Sequence, residues 1–154
     1  MNIDIVAVGK LRPFYRSAAD EYIRRLRRYV QMREHEVREA SKAPSPIAQR
    51  AEEAGRLGAR ISAGSTVVAL TREGTGWSSR DLANQLERWL MSSRPIAFVL
   101  GGSHGLDPSF LARSEARWSL GPLTFPHELA RVVVLEQLYR AFTILRGQPY
   151  HKGL

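Results

Sequence analysis

The chain of 154 residues contains no cysteine, so disulfide bonds, thiol catalysis and zinc–thiolate sites are excluded. No apolar run approaches the roughly 20 residues that a helix needs to cross a bilayer. The opening segment, MNIDIVAVGK, alternates apolar and polar side chains and lacks the basic start and apolar core of a signal peptide. We therefore expect a cytoplasmic protein without a membrane segment.

Short motifs that mark common cofactor and metal sites are also missing. Neither G-x-G-x-x-G nor G-x-x-x-x-G-K-[ST] occurs, which excludes the standard dinucleotide and P-loop cradles. H-E-x-x-H is absent, and the histidines are scattered over positions 35, 104, 127 and 151. We therefore expect no metal site.

The composition is that of a globular protein with a basic surface. The length and the 44% hydrophobic content fit a single domain, residues 1–154, with its own core. The formal net charge of +8 favours polyanionic partners, nucleic acid above all. The first predicted helix carries Arg24, Arg25, Arg27 and Arg28 on one face, which is either a docking patch or a solvated face.

Hydrophobic periodicity predicts strands that alternate with helices along the whole chain. The runs VVAL and IAFVL barely alternate, which is typical of parallel strands buried on both sides. The predicted fold class is therefore α/β, with a mainly parallel sheet and helices on both faces. The expected strands are 3–8, 30–37, 66–71, 95–100 and 117–120, and the expected helices are 14–29, 47–60, 78–91, a short one from Asp107, and 127–146.

Three glycine-bearing loops follow predicted strands, after Leu70, Leu100 and Leu120. Ligands of parallel sheets bind beyond the carboxyl ends of the strands. Glycine there lets main-chain groups approach a ligand closely, because no Cβ is in the way. The pattern favours a small-molecule site built from these loops, the first of which we place at residues 72–77.

The second of these loops, GGSHG at residues 101–105, matches the G-x-S-x-G nucleophile elbow of serine hydrolases, with Ser103 as nucleophile. In an elbow the helix begins at the serine, whereas Asp107 and Pro108 form the helix start here. A ligand loop and a plain tight turn are the other interpretations.

Two further segments have both a structural and a functional interpretation. The loop GPLTFP, residues 121–126, could hold an adenine by main-chain hydrogen bonds or serve as a stiff connector. Glu136 and Arg140 have the spacing of a helix ion pair. The tail after Arg146 is either a frayed end or part of a site, since it concentrates ionisable groups.

Taken in order, these segments resemble one family over the whole chain. They are LTREG, a strand into GG-x-x-G-L, WSL-x-PLTFPHELAR, E-x-LYRA and PYHK. The chain resembles the ribosomal RNA large subunit methyltransferase H family of the SPOUT superfamily. The resemblance implies a homodimer, a C-terminal trefoil knot, S-adenosylmethionine as cofactor and methylation of N3 of a pseudouridine in 23S rRNA. The substrate would be the rRNA within an assembled ribosome or as free RNA.

Positions that match the family's cofactor contacts are Leu70, Gly102, Leu120, Gly121, Pro122, Leu123, Thr124 and Phe125. The resemblance places Tyr150, His151 and Lys152 in a tail that closes over the reaction site. The chain departs from the family at His104, where an acidic residue is usual, and it adds Gly153 and Leu154 beyond the usual basic end.

The acceptor chemistry assigns roles to the tail. N3 of pseudouridine is an imide nitrogen whose proton must leave, so a base or a hydrogen-bond partner and nearby cations would help. His151 would take the first role, Arg140 and Lys152 the second, and Tyr150 would stack on the base. Two alternatives remain at this stage: an RNA-binding module without chemistry, and a serine hydrolase that uses Ser103.

Overall fold

The computed structural model describes residues 1–153, and they form five strands and five helices. The strands are β1 (Asn2–Val8), β2 (Gln31–Val37), β3 (Thr66–Thr75), β4 (Ile96–Leu100) and β5 (Ala116–Trp118). The helices are α1 (Pro13–Leu26), α2 (Pro46–Gly58), α3 (Ser79–Met91), α4 (Pro108–Arg113) and α5 (His127–Leu145). Strands and helices alternate as the periodicity predicts.

The strands form one parallel sheet in the order β2-β1-β4-β3-β5. In the centre, Ile5 of β1 lies opposite Glu34 on one side and Phe98 on the other. All of β4 and nearly all of β1 are buried, because helices cover both faces. The expected parallel α/β fold is confirmed.

Successive side chains of the inner strands pack into two separate hydrophobic cores, since side chains alternate between the faces of a sheet. Ile5 and Phe98 point to the face covered by α1, α3 and α5. Val6 and Val99 point to the face covered by α2 and α4.

No helix within residues 1–153 has the length and apolar character needed to span a membrane.

The helix starts follow local sequence signals. Ser78 and Asp81 form a capping box at the start of α3, in which the Ser78 hydroxyl accepts from the Asp81 N–H at 3.1 Å. Asp107 caps α4, and Pro108 occupies its first turn. On α1 the buried residues are Ala19, Ile23 and Leu26.

The expected loop at residues 72–77 is wrong in part, because β3 continues to Thr75. Leu70 and Thr75 both pair with Trp118 of β5, so the strand bulges between them. Residues in a bulge leave the regular ladder and can turn toward a neighbouring loop. The bulge therefore presents residues 71–73 at the carboxyl end of the sheet.

Helix α5 is tied to the N-terminal part of the chain by two charged side chains. Glu128 accepts the main-chain N–H of Arg12 at 2.6 Å and its Nε at 2.9 Å. Burial acts to raise the pKa of Glu128, but these hydrogen bonds from Arg12 outweigh it and hold the pKa below its usual range. The carboxylate is therefore ionised and fixes the first turn of α5 against the loop after β1.

Arg131, the second tie, is a fully buried arginine with 1% of its side chain exposed. It donates to the Gly9 carbonyl oxygen at 2.8 Å and to Glu34 at 3.1 Å, and it also pairs with Glu36. From the solvent side Arg16 donates to the same two carboxylates. The cluster joins α5, β1, β2 and α1.

Replacing Arg131 by Met, which has a similar reach, should lower the free energy of unfolding by about 3 kcal/mol, because Glu34 and Glu36 lose their inner partner. Urea denaturation at a single protein concentration measures this. Arg56→Met is the control, since Arg56 pairs with Glu52 near the surface at 3.0 Å and should cost less than about 1 kcal/mol. Equal losses in the two variants would contradict a central role for Arg131.

Candidate functional site

A cavity of about 490 Å³ lies at the carboxyl ends of β4 and β5, beside the bulge of β3. Its volume is in the range of roughly 300–1,000 Å³ that is typical of small-molecule sites. All of the positions expected to contact a cofactor line it except Pro122. The three glycine-bearing loops of the sequence analysis therefore converge on one site.

The glycine loop after β4 is a tight turn whose ends touch. The Gly105 N–H donates to the Gly102 carbonyl oxygen at 3.1 Å. A Cβ on Gly101 would lie only 2.5 Å from the carbonyl carbon of Gly105, so no larger residue fits there. A Cβ on Gly102 would point away from the ligand space, toward Val8 at 3.0 Å and Glu53 at 3.6 Å.

The loop does not have the architecture of a nucleophile elbow. The Ser103 hydroxyl donates to Glu39 at 3.3 Å, and within residues 1–153 no histidine is hydrogen-bonded to it. Helix α4 begins at Pro108, well after the serine. A nucleophilic serine needs a neighbouring base, so this arrangement favours the ligand-loop interpretation.

The segment between β5 and α5 forms the opposite part of the cavity wall. The Ser119 hydroxyl accepts the Gly121 N–H at 3.0 Å, and Gly121 has a φ of +111°, which favours glycine. In residues 1–153 the main-chain N–H groups of positions 123–125 have no intramolecular acceptor. Leu123 is 68% exposed although it is apolar. Main-chain N–H donors beside an exposed apolar side chain are suited to bind a planar heterocycle, which has polar atoms at its edge and apolar faces.

One side-chain hydrogen bond crosses the mouth of the cavity. Arg72 Nη1 donates to Thr124 Oγ1 at 2.8 Å, and so joins the β3 bulge to the segment before α5. The bond is exposed to solvent. It is a direct side-chain link between these two walls of the cavity.

The cavity is lined by more basic than acidic side chains. Arg50, Arg72, His104 and His127 face one acidic residue, Glu73. Sequence reasoning missed Arg50, His127 and Ala130 as lining residues, because α2 and the first turn of α5 meet the loops only in the folded chain. No cluster of three metal-binding side chains occurs in the described part of the chain.

A shallower depression of about 690 Å³ lies at the other end of the sheet, against Met1 and residues 27–32. The amino ends of parallel strands do not bind ligands in this class of fold. Arg27 and Arg28 are exposed there, whereas Glu21 pairs with Arg24 at 2.6 Å and with Arg25 at 2.7 Å. The basic face of α1 is therefore half neutralised.

The tail packs on α5 around Glu136, and it is not frayed. Tyr150 donates its hydroxyl to Glu136 at 2.8 Å, and its ring contacts that of Tyr139 with centroids 4.6 Å apart. Arg140 donates to the same carboxylate at 2.7 Å and lies 4.9 Å from the centre of the Tyr150 ring. Glu136 and Arg140 therefore form the expected ion pair and in addition hold the tail.

The protonation states in this cluster restrict its chemistry. Burial and the hydrogen bond to Glu136 raise the pKa of Tyr150 well above its usual range, so the phenol is neutral and acts as a donor. Arg140 Nη1 lies 3.0 Å from His151 Nδ1. A guanidinium only donates, so Nδ1 accepts and Nε2 carries the hydrogen. Nε2 is buried and has no partner in residues 1–153.

The tail cluster and the cavity are separate within one chain. None of Arg140, Tyr150, His151 and Lys152 lines the cavity. Ala130 does, and it lies ten residues before Arg140, which corresponds to about 15 Å along the helix axis. Lys152 is exposed, and Leu154 lies outside the described residues.

A parallel sheet flanked by helices, with a loop-built cavity at its strand ends, is the arrangement in which α/β proteins bind small molecules. The family model described as "Predicted SPOUT methyltransferase" matches residues 1–151. Curated relatives called ribosomal RNA large subunit methyltransferase H are similar over 96% of both chains. They are 47% identical in Nitratidesulfovibrio vulgaris strain DP4 and 50% identical in Rubrobacter xylanophilus. The chain belongs to the SPOUT methyltransferases, in the ribosomal RNA large subunit methyltransferase H family.

Solved structures share the fold at low sequence identity. A probable methylase family protein from Haemophilus influenzae Rd KW20 has a TM-score of 0.57 and 16% identity, over 98% of this chain and 70% of that one. A probable methyltransferase from Bordetella pertussis Tohama I has a TM-score of 0.54 and 17% identity, over 90% and 95%. These likenesses support the architecture.

Gly101→Ala should destabilise the protein by about 1–3 kcal/mol, because the added Cβ overlaps the Gly105 main chain. Gly58→Ala is the matched control at the end of α2, where a Cβ meets nothing within 4 Å. That change should be neutral or stabilising by up to about 1 kcal/mol. Thermal unfolding of both variants distinguishes them. An unchanged melting temperature in Gly101→Ala would mean that the loop is not packed as described.

Proposed function

We propose that this protein methylates N3 of a pseudouridine in 23S rRNA, with S-adenosylmethionine as the methyl donor. The observation that carries the proposal is the convergence of the cofactor-matching positions on one cavity of small-molecule size. The name of the curated relatives supports large-subunit rRNA as the substrate. The net charge of +8 suits an RNA substrate.

The cavity fits the proposed cofactor. The unpaired main-chain N–H groups at positions 123–125 can donate to the ring nitrogens of adenine, and Leu123 and Leu70 supply apolar contact for its faces. The sulfonium of S-adenosylmethionine supplies an already activated methyl group. The protein therefore has to hold the acceptor in line and make its nitrogen nucleophilic.

The tail supplies groups for the acceptor. Because Nε2 of His151 carries the hydrogen, this side chain donates to a ring carbonyl of the uracil more readily than it removes a proton. Such a donor stabilises the negative charge that spreads over the imide when N3 loses its proton to solvent water. Lys152 is an exposed cation at the same place, whereas Arg140 is largely neutralised by Glu136 and positions His151.

A homodimer would join the tail to the cavity. On α5 the half-exposed Leu129 and Val133 lie outside both hydrophobic cores, so they are available to a second copy. Two α5 helices that pack antiparallel about position 135 would set position 140 of one protomer beside position 130 of its partner. The tail of one chain would then face the cavity of the other. The trefoil knot that the resemblance implies is part of the same proposal.

Ribosomes from a strain that lacks the native modification test the proposal directly. Incubation with methyl-labelled S-adenosylmethionine should label 23S rRNA, and nuclease digestion followed by mass spectrometry should place the methyl group on N3 of a pseudouridine. Isolated rRNA in a parallel reaction separates the free from the assembled substrate. RNA binding without cofactor binding would favour the RNA-binding module instead.

His151→Ala should lower the turnover of methyl transfer about 10²- to 10⁴-fold, with the affinity for S-adenosylmethionine within about twofold of wild type. The reason is that His151 acts on the acceptor and does not line the cavity. Single-turnover kinetics and calorimetry measure the two quantities. His35→Ala, a histidine outside the cavity lining and the tail, is the control, and it should retain most of its turnover. Full activity in His151→Ala would remove the tail from the site.

Val133→Glu should convert the dimer into a monomer. The two-fold axis would place a carboxylate from each protomer in an apolar interface, where neither has a partner. Sedimentation equilibrium at micromolar concentration measures the mass. Ala51→Glu on the exposed side of α2 should leave the dimer intact. A monomeric wild-type protein would contradict the proposed arrangement.

A further inference from the structure

Arg50 reaches the cavity from α2 without serving any visible structural purpose. It lines the cavity, and its Nε is shielded from solvent. In residues 1–153 that Nε has no acceptor, and the guanidinium forms no ion pair. A buried N–H without an acceptor is costly, and folded proteins rarely retain one. Arg50 therefore offers the cavity wall a guanidinium that no carboxylate of residues 1–153 holds, which leaves it available to an anionic group of a ligand.

Two of the protein's own carboxylates near the cavity are already engaged. The carboxylate of Asp107 accepts the N–H of Ser109 at 3.0 Å, and its pKa is lowered chiefly by the Ser109 side chain, with a smaller Coulombic effect from Arg50. Glu39 accepts from Ser103 and Gln49. The other guanidinium in the lining, that of Arg72, donates to Thr124. Arg50 alone among the lining arginines lacks an acceptor in the described residues.

We propose that Arg50 binds the carboxylate of the amino-acid end of the methyl donor, an inference that rests on the proposed function. S-adenosylmethionine carries adenine at one end and a carboxylate at the other. The free main-chain donors at positions 123–125 suit the adenine, and α2 forms a different wall of the cavity. The elongated molecule therefore presents its charged end to Arg50.

The chemistry of the two partners matches. A guanidinium presents Nε and one Nη side by side, and a carboxylate accepts both in a planar two-bond pair. A phosphate of the RNA backbone is the rival anion. Arg50 lines a cavity of about 490 Å³, which a single carboxylate enters more easily than a phosphate flanked by two sugars. The donor's carboxylate is therefore favoured.

Calorimetry with two ligands isolates this contact. One is S-adenosylhomocysteine, and the other is its decarboxylated form, which keeps the adenosine, the sulfur and the amine. Arg50→Gln should bind S-adenosylhomocysteine about 10- to 100-fold more weakly than wild type, as expected for a lost charge-assisted pair. Its affinity for the decarboxylated ligand should be unchanged or higher. Arg56→Gln, on the same helix but outside the cavity lining, should leave both affinities unchanged.

The outcomes separate the proposals. Equal weakening for both ligands would assign Arg50 a structural role, and no weakening for either would remove it from the cofactor site. An Arg50→Gln protein that binds both ligands as wild type does, but has a raised KM for ribosomes, would assign the contact to RNA. Each of these results overturns the carboxylate contact and leaves the proposed function intact. A wild-type protein that binds no S-adenosylhomocysteine would overturn the proposed function as well.

Discussion

The buried guanidinium of Arg131 is the contact on which the geometry of the site depends. It fixes α5 to the main chain at the end of β1 and to two carboxylates of β2. The segment that forms one wall of the cavity ends one turn earlier, at the start of the same helix. Because Glu128 secures that first turn against Arg12, the wall is held by two buried charged groups. A site that must align two reactants gains from such a rigid support.

Local chemistry explains what the sequence could predict. The capping residues of α3 and α4, the glycine turn after β4 and the buried strands each follow from a few adjacent residues. The cavity could be predicted too, since carboxyl ends of parallel strands meet at one edge and the glycine-bearing loops lie there. The bulge of β3 could not, because it arises from pairing with Trp118, more than forty positions away in the chain.

Buried charge was the other feature beyond the reach of sequence reasoning. In the sequence alone, Arg131 and Arg50 cannot be distinguished from the other basic residues, since the chain has 23 Lys and Arg. Their roles differ only because one meets carboxylates and carbonyls while the other meets an open cavity. The state of His151 is similar, since the contact with Arg140 decides which nitrogen carries the hydrogen. Such facts depend on the tertiary arrangement and not on residue type.

The Arg131 cluster also constrains how the chain folds. Its partners are separated from Arg131 by 95 to 123 positions, and β1 pairs with the central strand β4, which begins at Ile96. During synthesis at about 5–20 residues per second, the N-terminal βα unit therefore waits several seconds for its inner partners. Until α5 leaves the ribosome, Glu34 and Glu36 have only Arg16 to balance them. Folding is thus governed by contacts between distant segments, which are the slow ones to form.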